Sequence, residues 1–411
     1  MADMMEQGEC VVADREAAAA SPVQKPGAPH LAAPTLHTFW KGRVALYAAL
    51  KSLGVGTGDC VIVPGYTCFA VPLAVQLSGA RQVYADIEPH TFNLTLGSVE
   101  AAWSGHRGDP IKAVVVQHTY GIPADSRAIV EWAHARGIGV IEDCAHVCGG
   151  AYLDDEGAWC PVGSLGDIAI SSSHWSKPVS TGLGGWATTS VPGLSEKLRS
   201  FRERECLSPS WRESMSLAAA VALRETFSLG WMYWFARGAY RTVSGLGLLV
   251  PSSSPEEVEG TLTRDFAKRM CLIQEWLLKR RKADLAEQAR RRSLKAEYDS
   301  GLKAAGIRPL ELPAYADPVL ACYPVRVNEK ARVLERARRR WIELGDWYRN
   351  PVDHPTSELE IFGYRAGTCP AGECAAKQVV TLPMHRRVTR STVRRTVEFV
   401  REFIRAESPL D

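Results

Sequence analysis

The chain has 411 residues, of which 46% are apolar and 23% charged, with a formal net charge of +3. That composition suits a globular protein with one large domain and a smaller one, and it excludes a disulfide-stapled miniprotein, a collagen-like or low-complexity chain and a disordered one. The balance of 49 basic against 46 acidic residues gives no ground for a dedicated nucleic-acid binder.

Residues 1–36, rich in Ala and Pro, read as a poorly ordered arm. The first residues lack a basic stretch followed by an apolar core, so no signal peptide is expected. No window approaches 18 apolar residues, so no membrane span is expected. Eleven cysteines scattered through the chain suit reduced thiols and a cytoplasmic location. From Trp40 the pattern becomes regular. GRVALYAALKSLGV places Val44, Leu46, Tyr47, Leu50 and Leu53 at helical spacing, with Gly54 as the stop. DCVIVP is a short apolar strand, YTCFAVPLAVQLSGA a second helix, RQVYADIE and KAVVVQHTYG strands, SRAIVEWAHARG a helix, and IGVIEDCAH a strand with a polar exit. DIAISSS and GGWATTS are two further strands. Apolar strands alternating with amphipathic helices predict a largely parallel sheet covered on both faces, with ligands beyond the strands' carboxyl ends. Residues 37–260 are expected to form the large domain, with an aromatic-rich insertion at about 216–260. Residues 264–304 read as one long charged helix, and 261–411 as that helix plus a small C-terminal α+β domain.

The chemistry concentrates between Ile138 and Gly185. Asp143 ends a buried strand, where an acid is costly unless it has a partner. Lys177 follows in a Ser- and Gly-rich turn, and a lysine in such a pocket can lose its proton and attack a carbonyl. Glycines 182, 184 and 185 permit close backbone approach beside it. Together these residues are the minimum set for pyridoxal phosphate: the lysine binds the aldehyde, and the acid keeps the pyridine nitrogen protonated. A buried salt bridge beside a tight turn is the plain alternative.

GRVAL (42–46), GDCVIVPGYTCFA (58–70), VVVQHTYGIPAD (114–125), VIEDCAHVCGG (140–150), SSSHWSKPVSTGLGG (171–185), KRMCLIQEWLLKRR (268–281), WYRNPVDHP (347–355) and TLPMH (381–385) occur in one order. On these motifs the sequence resembles the DegT-type sugar aminotransferases, a branch of the fold-type I pyridoxal phosphate enzymes. The resemblance implies an α/β/α large domain and a smaller α+β domain. It also implies that Lys177 forms the Schiff base and shuttles a proton, that Asp143 pairs with the pyridine nitrogen, and that His146 lies near the ring's phenolic oxygen. Ser172, Gly42 and Arg43 fall at the phosphate, in keeping with the free N–H groups and positive dipole of a helix N-terminus.

The sequence departs from that pattern in four places, one being that only KRM (268–270) aligns with the family's Asn-Tyr-Arg-Met segment, whose Asn reaches the partner subunit's cofactor phosphate. Arg43 replaces a threonine, and either contacts phosphate or points outward. Cys68 replaces the aromatic residue that stacks on the cofactor ring, so stacking falls to Tyr66 or Phe69, or is weakened. Leu183 replaces an acid. His118 and Tyr120 follow a buried strand and are expected near the cofactor, the alternative for them being a hydrogen-bonded core pair.

GVGTG (54–58) precedes a strand where a dinucleotide turn would follow one, so it reads as a helix stop. Cys369 and Cys374 lack a second close pair, and no metal is assigned. The runs KRRK (279–282) and RRR (290–292 and 338–340) read as solvated helix faces, with an anionic sugar diphosphate as the functional alternative. The expected protein is a homodimeric aminotransferase that uses glutamate or glutamine to aminate a keto-sugar or keto-cyclitol, with neither nucleic acid nor membrane as partner. Non-transaminating chemistry on the same cofactor, and a non-catalytic regulatory or scaffold role, are the alternatives.

Overall fold

A computed structural model describes residues 33–154, 157–227, 253–281, 284–356 and 358–404. Most of the expected arm and the centre of the aromatic-rich insertion lie outside them. Among the described residues, ten strands precede the insertion: β1 (Thr35–Phe39), β2 (Cys60–Pro64), β3 (Thr67–Cys68), β4 (Arg81–Ala85), β5 (Ile111–Gln117), β6 (Gly139–Asp143), β7 (Gly150–Leu153), β8 (Trp159–Pro161), β9 (Ile168–Ser172) and β10 (Gly185–Thr189). Four helices lie among them: α1 (Gly42–Ser52), α2 (Ala70–Leu77), α3 (Leu96–Gly105) and α4 (Ser126–His134).

Seven of the strands form one sheet in the order β1-β10-β9-β6-β5-β2-β4. The five from β4 to β9 are parallel, and β10 turns back antiparallel along β9. The chain enters the sheet at Thr35, inside the expected arm, because Thr35 and Leu36 pair with Thr189 and Thr188.

The apolar strands feed two cores because successive side chains leave opposite faces. Val61, Val63, Val115, Ile141, Ile168 and Ile170 pack against Val44, Leu46 and Leu50 of α1 and Val71 and Val75 of α2. Their neighbours Ile62, Val114, Val116 and Val140 pack on the other face against Val99 of α3 and Ile129 and Trp132 of α4. Leu46 and Leu50 are 1% and 0% exposed, and each such burial is worth about 1.5–3 kcal/mol relative to water. Among the described residues, no helix is long and apolar enough to cross a membrane.

Two expectations are corrected. The second helix begins only at Ala70, because Thr67 and Cys68 are drawn into a two-residue parallel pairing with Val352 and Asp353. Residues 264–304 are not one helix. Lys268 forms a β-bridge with Leu207, and helices Leu272–Arg281 and Leu285–Ala304 follow separately, the second started afresh by the Asp284 side chain accepting from the Glu287 N–H. The C-terminal elements pack Tyr298, Leu302, Tyr323, Val380, Leu382 and Val397 into a core that also takes Tyr66, Phe92 and Tyr120.

The start of α1 lies against β9 and β10 with no room to spare. A Cβ at Gly185 would stand 2.3 Å from the Gly42 Cα, and one at Gly42 would stand 2.7 Å from the Ser172 Cβ. Both glycines are required by this approach, not by backbone conformation. Gly185→Ala is therefore expected to lower stability by about 1–3 kcal/mol through overpacking, as measured by denaturant unfolding.

Candidate active site

The face-to-face alternation of β6 decides what stands at its carboxyl end. Asp143 shares the Ile141 face, toward α1, whereas Glu142 shares the Val140 face, toward α4. Ser172 at the end of β9 shares the face of Ile168 and Ile170, and so meets the start of α1. Asp143 is 4% exposed. Its Oδ1 accepts the Ala145 N–H at 2.9 Å, and no hydrogen bond to Oδ2 is found among the described residues. Burial pushes its carboxyl up, while the Ala145 N–H and the Lys177 charge pull it back.

Lys177 sits in the turn between β9 and β10, its N–H donating to the His174 carbonyl at 2.9 Å. Burial of its ammonium lowers its pKa, against the raising influence of Cys68 and Asp143. The plain salt-bridge reading fails, since among the described residues no acid stands within 4 Å of Lys177 Nζ. Asp143 and Lys177 are electrostatic neighbours across a gap.

His146 is 3% exposed. Its Nδ1 accepts the Tyr120 N–H at 3.1 Å, so its proton sits on Nε2, which lies 3.3 Å from the Tyr348 hydroxyl. Burial, then the charges of Lys177 and His118, holds it well below the ordinary histidine range, so it is neutral. Tyr120 aims its N–H there from a left-handed conformation with φ 58°, a strained geometry for a residue with a side chain.

These residues fit pyridoxal phosphate. A half-buried lysine amine, an open carboxylate oxygen and a neutral imidazole face one region. The Ser172 hydroxyl would be 2.9 Å from a Cβ on Gly42, beside the first N–H groups of α1, which have no partner within the helix.

Four expected residues are placed differently. His118 turns to the other face. Its Nδ1 accepts the Ala124 N–H at 3.1 Å, and its Nε2 lies 3.1 Å from Glu142 Oε2 and 3.2 Å from the Tyr152 hydroxyl. Both ring nitrogens are therefore used in the core, and His118 is corrected from cofactor neighbour to core pair. The period of two put it on the Val114 and Val116 face. Tyr66 is fully buried, its hydroxyl 2.6 Å from that of Tyr120. Arg43 does not point outward. Its Nη1 donates to Ser253 at 2.9 Å and lies 3.4 Å from Glu257, its guanidinium lies over Phe69 at 5.1 Å, and Lys41 grips the same Glu257 at 2.9 Å. Phe69 packs with His354 and Phe362. Cys68 remains beside Lys177, its thiol pushed up by burial and drawn down by the lysine's charge.

Sequence reasoning assigned no role to Trp347. Its ring lies 5.1 Å from Lys177 Nζ and 4.5 Å from the His146 ring. The motif WYRNPVDHP was visible, but nothing local in it shows which site it covers.

The sheet order and this constellation define the fold-type I class of pyridoxal phosphate enzymes. The family model described as the DegT/DnrJ/EryC1/StrS aminotransferase family matches residues 31–225 and 269–401, and the chain belongs to that family of pyridoxal phosphate-dependent enzymes. It is 30% identical over 369 residues to the dTDP-3-amino-3,4,6-trideoxy-alpha-D-glucose transaminase of Streptomyces venezuelae, covering 88% of this chain and 81% of that one. Other matches are partial. The chain is 38% identical over 161 residues to the L-glutamine:2-deoxy-scyllo-inosose aminotransferase of Streptomyces kanamyceticus, 39% of this chain and 36% of that one. It spans 29% of the protein MosB of Rhizobium meliloti, at 39% identity over 158 residues, or 38% of this chain. The crystal structure of S. venezuelae DesV in complex with a ketimine intermediate superposes with a TM-score of 0.66 at 26% identity, covering 89% of this chain and 84% of that one.

The lowered pKa of Lys177 makes a larger share of its amine neutral at any given pH. In cofactor-free protein, its modification by acetic anhydride, followed peptide by peptide in a mass spectrometer, should reach half its maximal rate at a lower pH than that of exposed lysines. Asp143→Asn removes a charge that favours the ammonium and should move the midpoint lower still. A Lys177 profile matching the exposed lysines contradicts this.

Proposed function

We propose that the chain is a pyridoxal phosphate aminotransferase that moves an amino group from glutamate or glutamine to a keto-sugar, a nucleotide diphosphate sugar in the first instance, or to a keto-cyclitol, in ping-pong order, and that it works as a homodimer. The observation that carries the reading is the pairing of a buried, incompletely bonded carboxylate with a half-buried lysine that, among the described residues, has no acid in ion-pair contact. When bound, the cofactor supplies an aldehyde and an electron sink.

In this reading Lys177 would hold the cofactor's aldehyde carbon, and its amine would serve as the base that moves a proton at the substrate carbon. Its lowered pKa suits a group that must act as a base near neutral pH. Asp143 keeps the pyridine nitrogen protonated, and enclosure strengthens that interaction. His146, neutral and fixed by the Tyr120 N–H, would offer its Nε2 proton to the cofactor's phenolic oxygen. Ser172 and the backbone N–H groups at Gly42 and Arg43 hold the phosphate. The names of the relatives support the acceptor class, one being a dTDP-sugar transaminase and another a cyclitol aminotransferase using glutamine. Exposed Trp211, Met215, Leu272 and Trp276, at 72%, 60%, 86% and 53% of their free surface, support the dimer as surface a second copy can cover.

Borohydride added with pyridoxal phosphate should attach the reduced cofactor to Lys177, located by peptide mass. Attachment to another lysine would overturn the assignment. Asp143→Asn should lower turnover at least about a hundredfold, as loss of a preorganised electrostatic interaction does, while still allowing Lys177 to be labelled. Glutamate or glutamine alone should convert the bound cofactor to pyridoxamine phosphate with one equivalent of oxo acid. Absence of that half-reaction with both donors would favour the non-transaminating alternative.

A further inference from the structure

Residue 68 lies beside the reactive lysine but carries no ring, and the two aromatic residues flanking it are used elsewhere. Tyr66 is bonded to Tyr120, and Phe69 lies under Arg43. The aromatic residue that does stand at the lysine comes from a distant part of the chain. Residues 345–353 run as a strap between two anchors. At one end Gly345 forms a β-bridge with Thr381, and at the other Val352 and Asp353 pair with Thr67 and Cys68. The pairing at residue 68 brings the strap alongside the cysteine. Between the anchors Trp347 is half-buried and lies 5.1 Å from Lys177 Nζ, tilted by 36° on the His146 ring at 4.5 Å.

The strap is held from behind by Lys330, which is 7% exposed. Its ammonium donates to the Tyr348 carbonyl at 2.8 Å and the Ala376 carbonyl at 2.8 Å, and it lies 2.6 Å from Asp346 Oδ1. Three donors meet three acceptors, two of them on the residues flanking Trp347. An ammonium so enclosed fixes backbone, not substrate.

We infer that Trp347, carried on this strap and positioned by Lys330, supplies the aromatic face over the cofactor's pyridine ring that Cys68 does not. The inference rests on the cofactor reading above. An indole face is the strongest of the aromatic partners for a cation, and a pyridine kept protonated by Asp143 is a flat cation. Trp347 and Asp143 therefore favour the same protonated form, one from above the ring and one at its edge. Trp347 is placed as a binding residue for the cofactor, and Lys330 as a positioning residue acting through it.

The test is a titration of cofactor-free protein with pyridoxal phosphate, followed by absorbance and by quenching of tryptophan fluorescence. Trp347→Leu keeps apolar bulk and removes the ring; it should raise the dissociation constant about three- to tenfold, the range expected for one aromatic stack. Trp347→Phe should stay within about twofold of the wild type, since it retains a ring. Lys330→Met should weaken binding in the same direction and add little to Trp347→Leu in the double variant, because both act through one contact. Cys68→Phe should recover binding in the Trp347→Leu background. Wild-type affinity in Trp347→Leu, or additive losses in the double variant, would overturn the inference even if Lys330→Met alone failed to fold. Failure of the wild-type chain to bind the cofactor would overturn the proposed function itself, so the two failures are distinguishable.

Discussion

The site depends on one constraint: a carboxylate taken out of water at the end of a central strand with, among the described residues, no cation in ion-pair contact. Burial raises the energy of the Asp143 anion, and a single N–H bond from Ala145 with a more distant lysine charge offsets only part of that cost. A fold that needed only stability would place an apolar residue there. In the proposed function, a protonated pyridine nitrogen would be the partner that offsets the rest of that cost.

The rest of the architecture brings a few other groups to that carboxylate. Parallel strands end together, so β6 and β9 deliver Asp143 and Ser172 to one edge of the sheet. The two-residue alternation then puts both on the α1 face, where Gly42 and Gly185 let the helix start approach within reach of the Ser172 hydroxyl. On the opposite face the same alternation buries Glu142, which accepts from the Leu165 and Gly166 N–H groups at 2.7 and 2.6 Å and meets His118 and Tyr152. Neighbouring acids on one strand thus serve different ends, Glu142 being satisfied within the core and Asp143 left open toward the lysine.

Much of this was legible in the sequence because it is local. The strands around Val61, Val115 and Ile141, the helix from Gly42, and the spacing of Asp143, His146 and Lys177 follow from periodicity and short motifs. What the sequence hid was pairing at long range. Thr67 and Cys68 read as the start of a helix, yet they form a strand because Val352 and Asp353 lie beside them. Residues 264–304 read as one helix because charge and spacing are continuous, while the bridge between Lys268 and Leu207 interrupts it. The sequence admits both a cofactor and a core reading of His118, and counting residues from Val114 assigns it to the core face. Trp347 had no local signal at all, because its neighbours at the site are 170 or more positions away in the chain.

The proposed function requires a cofactor bound between positions 143 and 177. Diffraction from crystals grown with pyridoxal phosphate tests it most directly. The map should show density continuous from Lys177 Nζ into a planar ring, with the ring nitrogen within hydrogen-bond distance of the Asp143 carboxylate and the phosphate against Ser172 and the start of α1. A ring bound elsewhere, or one whose nitrogen faces away from Asp143, would contradict it.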